Sequence, residues 1–184
     1  GYSMLSLSDK LVQGYLNTAN HIINDTTILF SIIAIMSSIF IITDKENKLI
    51  NKIVAVIPIS YVLLKLIPSN PFYDKLFNFE AFNINTLYSK TALLQLVSSS
   101  FILLLIGFQL IFAFKNKKSG IIVAILYCAS LCSAMTLSFS PTIYVSGNRI
   151  FTATDFILLC IGSTLLIKLM HKLYNKKNIS YICT

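Results

Sequence analysis

The sequence predicts an all-α polytopic membrane protein, with about five transmembrane helices preceded by an interfacial amphipathic helix. Of the 184 residues, 55% are hydrophobic and only 12% are charged, whereas soluble domains average roughly 45–50% and about 25%. The mean hydropathy is +0.76. The apolar residues are also gathered into runs of membrane-spanning length, so we expect the chain to lie in a lipid bilayer rather than to form a soluble globule.

The first predicted element is an amphipathic helix over Ser8–Asn24, within an interfacial region 1–26. Apolar residues recur there at helical spacing and polar residues fall on the opposite side. Ser8 is placed to cap the helix. Because this segment is too polar to cross the hydrocarbon, we expect it to lie along the membrane surface or to pack beneath a partner.

Five apolar runs follow in a transmembrane domain that covers 27–170. Each is long enough to cross a hydrocarbon core of about 30 Å, because a helix rises about 1.5 Å per residue. A bilayer offers the backbone no hydrogen-bond partners, so these runs must be helices. Pro58 is expected to kink the second run. The runs are Thr27–Thr43, Leu49–Ile67, Thr91–Phe114, Gly120–Phe139 and Ile150–Met170.

The longest joint is the loop 68–90, which is rich in aromatic residues. Aromatic side chains favour the headgroup region of a membrane, so we expect this loop to anchor the protein at the interface. A lid over a lipid-facing site is the functional alternative. The aromatic residues are Phe72, Tyr73, Phe77, Phe79, Phe82 and Tyr88.

The distribution of positive charge predicts the orientation. The chain has fourteen lysines, one arginine and seven acids, and ten of the cations fall on one side if the five runs alternate. This side is expected to be cytoplasmic, with the basic tail 171–184. The amphipathic segment then lies outside, and we expect the chain to be the C-terminal part of a longer polytopic protein. Membrane orientation accounts for the charge, so no nucleic-acid binding is predicted.

Two residues are the candidates for binding a substrate or a lipid phosphate. Arg149 is the only arginine, and its guanidinium can hold a phosphate bidentately, as lysine cannot. Ordinary headgroup binding is the alternative. Asp155 is the only acid within a run, where ionised groups are costly and often functional; a structural hydrogen bond to another run is the alternative. The two residues are six apart and do not share a helix face.

The remaining polar residues predict packing rather than chemistry. Hydroxyl and amide side chains in the third and fourth runs, such as Gln109, are expected to join helices. The four cysteines lack the spacing of a metal or redox site and are expected to be buried between helices. His21, with Asp25 four residues on, is too small a group for a metal site. No cofactor motif is present.

One stretch resembles a known family. Ala134–Pro141, then Gly147–Phe151 and an apolar run, resembles the C-terminal region of bacterial polytopic membrane glycosyltransferases of the GtrII type, which modify O-antigen and related surface polysaccharides. In those proteins a run ends in Ser-Pro and an arginine opens the next run, and Ser140, Pro141 and Arg149 fill these places.

The resemblance implies an enzyme of the bacterial inner (plasma) membrane. It would take a sugar from a polyprenyl-phosphate donor on the outer face, with Arg149 near the donor phosphate. The catalytic acids of the family belong to an early outer loop, so no catalytic residue is predicted within this chain. Two alternatives stay open: a non-catalytic subunit of a larger membrane complex, of the kind that organelles encode, and part of a transporter.

Overall fold

The computed structural model describes residues 6–77, 79, 89–136 and 151–182. In these ranges the chain is all-α, as predicted, and contains no strand. Seven α-helices and one π-helical segment form the structure. They are α1 (Leu7–Asn20), the π-helix (His21–Asp25), α2 (Thr27–Thr43), α3 (Leu49–Leu66), α4 (Pro71–Phe77), α5 (Lys90–Phe112), α6 (Lys117–Thr136) and α7 (Thr152–Ile182).

Among the described residues, four helices are long and apolar enough to cross a membrane: α3, α5, α6 and the Thr152–Lys172 part of α7. The helix α2 qualifies only together with α1 and the π-helix, from which it is bent by 79°. Four or five spans are compatible with an integral membrane protein, and the fifth is a broken one.

The spans alternate in direction and form one bundle. The helix α2 packs against α3, α5 and α7, and α6 packs against α5 and α7. Two lysine-rich joints, 44–48 and 114–118, meet the lysine-bearing part of α7, 168–172, at one end of the bundle, which we call the lysine end. The opposite end, which we call the corner end, holds the π-helix, α4 and the first turn of α7.

The first helix begins two residues earlier than predicted. Its N-cap is Ser6, not Ser8, because Ser6 and Asp9 form a reciprocal capping box: the Ser6 hydroxyl accepts from the Asp9 amide, and the Asp9 carboxylate accepts from the Ser6 amide, both at 3.2 Å. The predicted continuation to Asn24 is also not α-helical throughout, since the chain winds into a π-helix from His21.

One face of α1 packs against α5 and α6 of the same chain. The Tyr15 hydroxyl accepts a 2.8 Å hydrogen bond from Ser100 and lies 3.3 Å from the Ser99 hydroxyl. Ser99 is the tenth residue of α5, about 15 Å along its axis. The buried face of α1 is therefore covered by α5 and α6 of the same bundle.

The other predicted boundaries differ at their ends. The third run ends at Phe112 rather than Phe114, and the fourth begins at Lys117 rather than Gly120. The last helix does not end at Met170 but continues to Ile182, through most of the predicted tail. This stretch is no longer apolar, but its lysines and other polar residues are compatible with an α-helix, so the helix continues.

The aromatic loop is partly helical and partly buried. Tyr73 and Phe77 of α4 pack against Tyr61, with ring centroids 5.7 and 4.9 Å away. The anchoring interpretation is therefore wrong for these two residues, because they are 8% and 6% exposed. Phe72 is 60% exposed and stays available to the interface. Phe82 and Tyr88 lie outside the described residues.

Polar side chains join helices, as the packing interpretation predicts. Gln109 of α5 is buried and accepts a 3.0 Å hydrogen bond from Ser37 of α2. Its amide also lies 3.5 Å from the Val54 carbonyl of α3, which lacks its usual helical donor because Pro58 has no N–H. Gln109 thus links three spans.

The cysteines are not buried between helices. Cys128, Cys132 and Cys160 are all exposed on the outside of the bundle, so the prediction of burial is wrong for these three. A cysteine behaves as a small hydrophobe and is compatible with a lipid-facing position. Cys183 lies outside the described part of the chain.

Candidate functional site

A histidine held between two carboxylates forms the strongest candidate site. The Nε2 atom of His21 lies 2.8 Å from Oδ1 of Asp155, and its Nδ1 atom lies 3.2 Å from Oδ2 of Asp25. His21 is only 3% exposed. The side chains of Asp25 and Asp155 keep 38% and 33% of their surface exposed, so the imidazole is enclosed while both carboxylates remain reachable.

The π-helix brings these groups together from the corner between α1 and α2. His21 and Asp25 are its first and last residues, and their four-residue separation lets the carboxylate approach Nδ1. The other ring nitrogen, Nε2, faces α7. Short π-helical turns are rare and occur often at functional sites.

The start of α7 is fixed against the same corner. The Phe151 ring stacks on the His21 imidazole, with centroids 4.1 Å apart and planes at 14°. Three residues later, the buried Thr154 hydroxyl donates to the Ser130 carbonyl of α6 at 3.2 Å. These contacts set the position from which Asp155 reaches His21.

A second polar group lies immediately beside this triad. The Lys65 ammonium donates to the Ile23 carbonyl at 2.7 Å, to the Asn24 side-chain oxygen at 3.1 Å and to the Thr27 hydroxyl. The Tyr73 hydroxyl donates to the same Asn24 oxygen at 3.2 Å. Lys65 therefore ties α3 to the π-helix and to the start of α2.

Asn24 and Tyr73 attach α4 to this group. The Asn24 amide nitrogen donates to the Phe77 carbonyl at 2.8 Å and to Asn20 at 2.9 Å. Burial raises the pKa of Tyr73 to about 12, so its hydroxyl keeps its proton at neutral pH and can serve as the donor to Asn24. The loop helix is thus docked by hydrogen bonds as well as by its aromatic rings.

The geometry defines the chemistry that the triad can perform. A neutral imidazole has one N–H donor and one acceptor nitrogen, whereas an imidazolium has two donors. Since both ring nitrogens face ionisable carboxyl groups, one proton more or fewer can be shared among His21, Asp25 and Asp155. Such an arrangement can accept, store or pass on a proton.

Of the two predicted site residues, Asp155 lies in this group, where it contacts His21 of the π-helix. Arg149, two positions before Phe151, lies outside the described residues. Sequence analysis placed His21 beside Asp25 but missed its partner on α7. The local signal was the histidine and acid four residues apart; nothing in the sequence indicated that Asp155, 134 residues away, would complete the group.

The residues that the structure describes do not form a metal site. Among them, no group of three or more His, Cys, Asp or Glu side chains could hold a metal ion. Both nitrogens of His21 are engaged by carboxylates rather than left open to a ligand.

Comparisons of the chain with protein-family models, with curated proteins and with solved structures found no match. The class of the protein therefore follows from its own features. It is an all-α chain with the four or five apolar helices of an integral membrane protein, with an ionisable triad where its broken helix meets the last span.

Proposed function

We propose that this chain forms part of a membrane glycosyltransferase that takes a sugar from a polyprenyl-phosphate donor on the outer face of a bacterial membrane. The observation that carries the proposal is the contact of His21 with Asp155 and Phe151. Phe151 and Asp155 come two and six residues after Arg149, at the point where the stretch that resembles the glycosyltransferases continues into its apolar run. The motif-bearing segment therefore leads into the ionisable triad.

The triad suits the proton chemistry of such a transfer. When the acceptor hydroxyl attacks the anomeric carbon, a new C–O bond forms and the hydroxyl proton must be accepted. The bond from the anomeric carbon to the phosphate oxygen breaks, and polyprenyl phosphate leaves with the electron pair. A carboxylate can accept the proton if it lies within hydrogen-bond reach of the hydroxyl.

We assign different roles to the members of the triad. Asp155 is one-third exposed and is the group that can meet a substrate, whereas the enclosed His21 is a positioning residue that orients the two carboxylates. Arg149 would hold the donor phosphate, because a guanidinium binds phosphate oxygens bidentately. Catalytic acids of the family motif would be supplied elsewhere in the protein.

Substitution of Asp155 tests this proposal. Membranes that contain the full-length protein are incubated with a radiolabelled polyprenyl-phosphate sugar and acceptor polysaccharide, and sugar transfer is measured. General acid–base groups contribute about 10²–10⁴-fold to rate, so we expect Asp155→Asn to lower transfer at least about 100-fold. Arg149→Ala should abolish transfer while membrane insertion stays intact.

The matched control is Asp74→Asn, which removes an exposed carboxylate at the same end of the bundle. It should leave transfer unchanged. Unchanged transfer in Asp155→Asn would contradict the role of the triad, and absence of transfer by the unaltered protein would contradict the glycosyltransferase proposal itself.

The broken span favours transport as a second candidate function. Many transporters place charged sites where a discontinuous helix unwinds, and here the triad lies at the 79° bend between α1 and α2. Proton-driven solute uptake into vesicles that contain the protein would support this alternative. In that case His21→Phe should abolish uptake.

A further inference from the structure

A basic cleft at the lysine end has no part in the proposed function. It measures about 460 Å³ and lies among the ends of α2, α5 and α7. Its charged lining comprises four lysines and two acids, which gives a formal charge of +2. The six side chains are Lys45, Lys115, Lys168, Lys172, Asp44 and Glu46.

Two of these ammonium groups converge on one aromatic ring. The Nζ atoms of Lys168 and Lys172 lie 4.9 and 5.6 Å from the centroid of Phe40. Lys168 also lies 4.0 Å from the centroid of Phe114. The two like charges on this ring repel each other, and an anion bound between them or beside them would offset that repulsion.

In the described ranges neither ammonium forms an ion pair within 4.0 Å, and Asp44 acts on Lys168 only through a longer electrostatic attraction. Lys168 donates to the Ala113 carbonyl and Lys172 to the Thr43 hydroxyl, both at 2.8 Å. A lysine ammonium has three N–H donors. Each ammonium therefore keeps N–H groups that can donate hydrogen bonds to an incoming anion.

The cleft lies at the depth expected for lipid headgroups. Lys168 is sixteen residues beyond Thr152, the first residue of α7, which corresponds to about 24 Å along a helix. A hydrocarbon core of about 30 Å therefore places the cleft near the boundary opposite the corner end. Basic pockets between spans at this level are suited to phosphate-bearing headgroups.

We propose that this cleft binds the phosphate groups of an anionic membrane lipid. Phe40 and Ala113 supply an apolar wall for the upper part of the acyl chains, and the lysines supply donors for the phosphate oxygens. A formal charge of +2 is matched by a lipid with two phosphodiesters, so cardiolipin should bind more tightly than phosphatidylglycerol, and phosphatidylcholine more weakly than either.

Lipid binding to the purified full-length protein in neutral detergent tests the proposal. Native mass spectrometry measures the affinity for cardiolipin, phosphatidylglycerol and phosphatidylcholine, and inorganic phosphate is added as a competitor. We expect Lys115→Gln with Lys172→Gln to lower the cardiolipin affinity at least tenfold. These lysines are exposed, so their loss should leave folding intact, which the thermal unfolding midpoint checks.

The control is Lys117→Gln with Lys118→Gln, which removes the same charge from the neighbouring turn but outside the cleft lining. It should change affinity less than twofold. Equal losses in both double variants, or equal binding of phosphatidylcholine, would overturn the proposal. Displacement of cardiolipin by millimolar inorganic phosphate would identify free phosphate as the ligand and overturn the assignment to a lipid.

Discussion

At the scale of single residues, His21 is the side chain that connects the other two members of the triad. It is enclosed by Phe151 on one ring face and by carboxylates at both nitrogens. A buried polar group that loses its partner costs about 1–3 kcal/mol. The three side chains are therefore expected to stabilise one another as well as to serve any proton chemistry.

This mutual stabilisation predicts a measurable coupling. His21→Phe keeps the stacking on Phe151 but removes both nitrogens, so Asp155 loses its hydrogen-bond partner. In a double-mutant cycle with Asp155→Asn, we expect a coupling free energy of about 1–2 kcal/mol, because the carboxylates are partly solvated. The measurement is equilibrium unfolding in mixed micelles.

A second cycle supplies the control. No described contact joins Asp74 to His21. The destabilisation by Asp74→Asn should therefore add to that by His21→Phe within about 0.5 kcal/mol. Strict additivity of His21→Phe and Asp155→Asn would contradict the predicted coupling between these two residues.

At the scale of helices, the close approach of α6 to the end of α5 depends on Gly120 in the first turn of α6. A Cβ atom at Gly120 would collide with the backbone carbonyl of Ile111, which cannot rotate away. Gly162 in α7 is different, since the nearest atoms to a Cβ there are side-chain carbons of Ile32 and Ile33 at 3.8 Å. The two glycines are therefore expected to respond in opposite ways to alanine.

We expect Gly120→Ala to lower the free energy of unfolding by about 1–3 kcal/mol, because the first turn of α6 must move away from the Ile111 backbone to relieve the overlap. Gly162→Ala should be neutral or stabilising, since alanine favours helix by about 1 kcal/mol over glycine. Thermal unfolding of both variants in the same detergent measures the difference. A loss in Gly162→Ala equal to that in Gly120→Ala would contradict this account of helix packing.

The helical elements also show which features sequence can predict. Span length and apolar content are properties of a continuous segment, so α3, α5 and α6 could be located from the sequence to within a few residues. The π-helix could not, because His21–Asp25 has no composition that distinguishes it from an α-helix. The burial of Tyr73 and Phe77 depends on Tyr61 of another helix, and no local pattern records that contact.

For the whole molecule, the site was harder to predict than the fold for a physical reason. Asp155 was identifiable because an acid is costly within an apolar run. Its partner was not, since His21 is 134 residues away and reaches it only through the bend after α1. Long-range pairing is a property of the assembled bundle, whereas the cost of burying a charge is visible in the segment itself.

The assembled bundle also has two chemically different ends, and this predicts how the protein lies in a membrane. Lysine-rich segments that flank spans are retained in the cytoplasm during insertion, and three such segments, two joints and the lysine-bearing part of α7, meet at one end. We therefore expect a cysteine at Glu46 to be protected from a membrane-impermeant maleimide in intact cells, and a cysteine at Ser69, at the corner end, to be labelled. Both positions are exposed.

The background for this experiment replaces the native cysteines by alanine. Cys128, Cys132 and Cys160 lie on the outside of the bundle, where lipid should already shield them from the reagent. Permeabilised cells should label Glu46→Cys and Ser69→Cys equally, which shows that both are reactive. If only Glu46→Cys is labelled in intact cells, the orientation is the reverse of the expected one. The triad would then face the cytoplasm, where a donor on the outer face could not reach it.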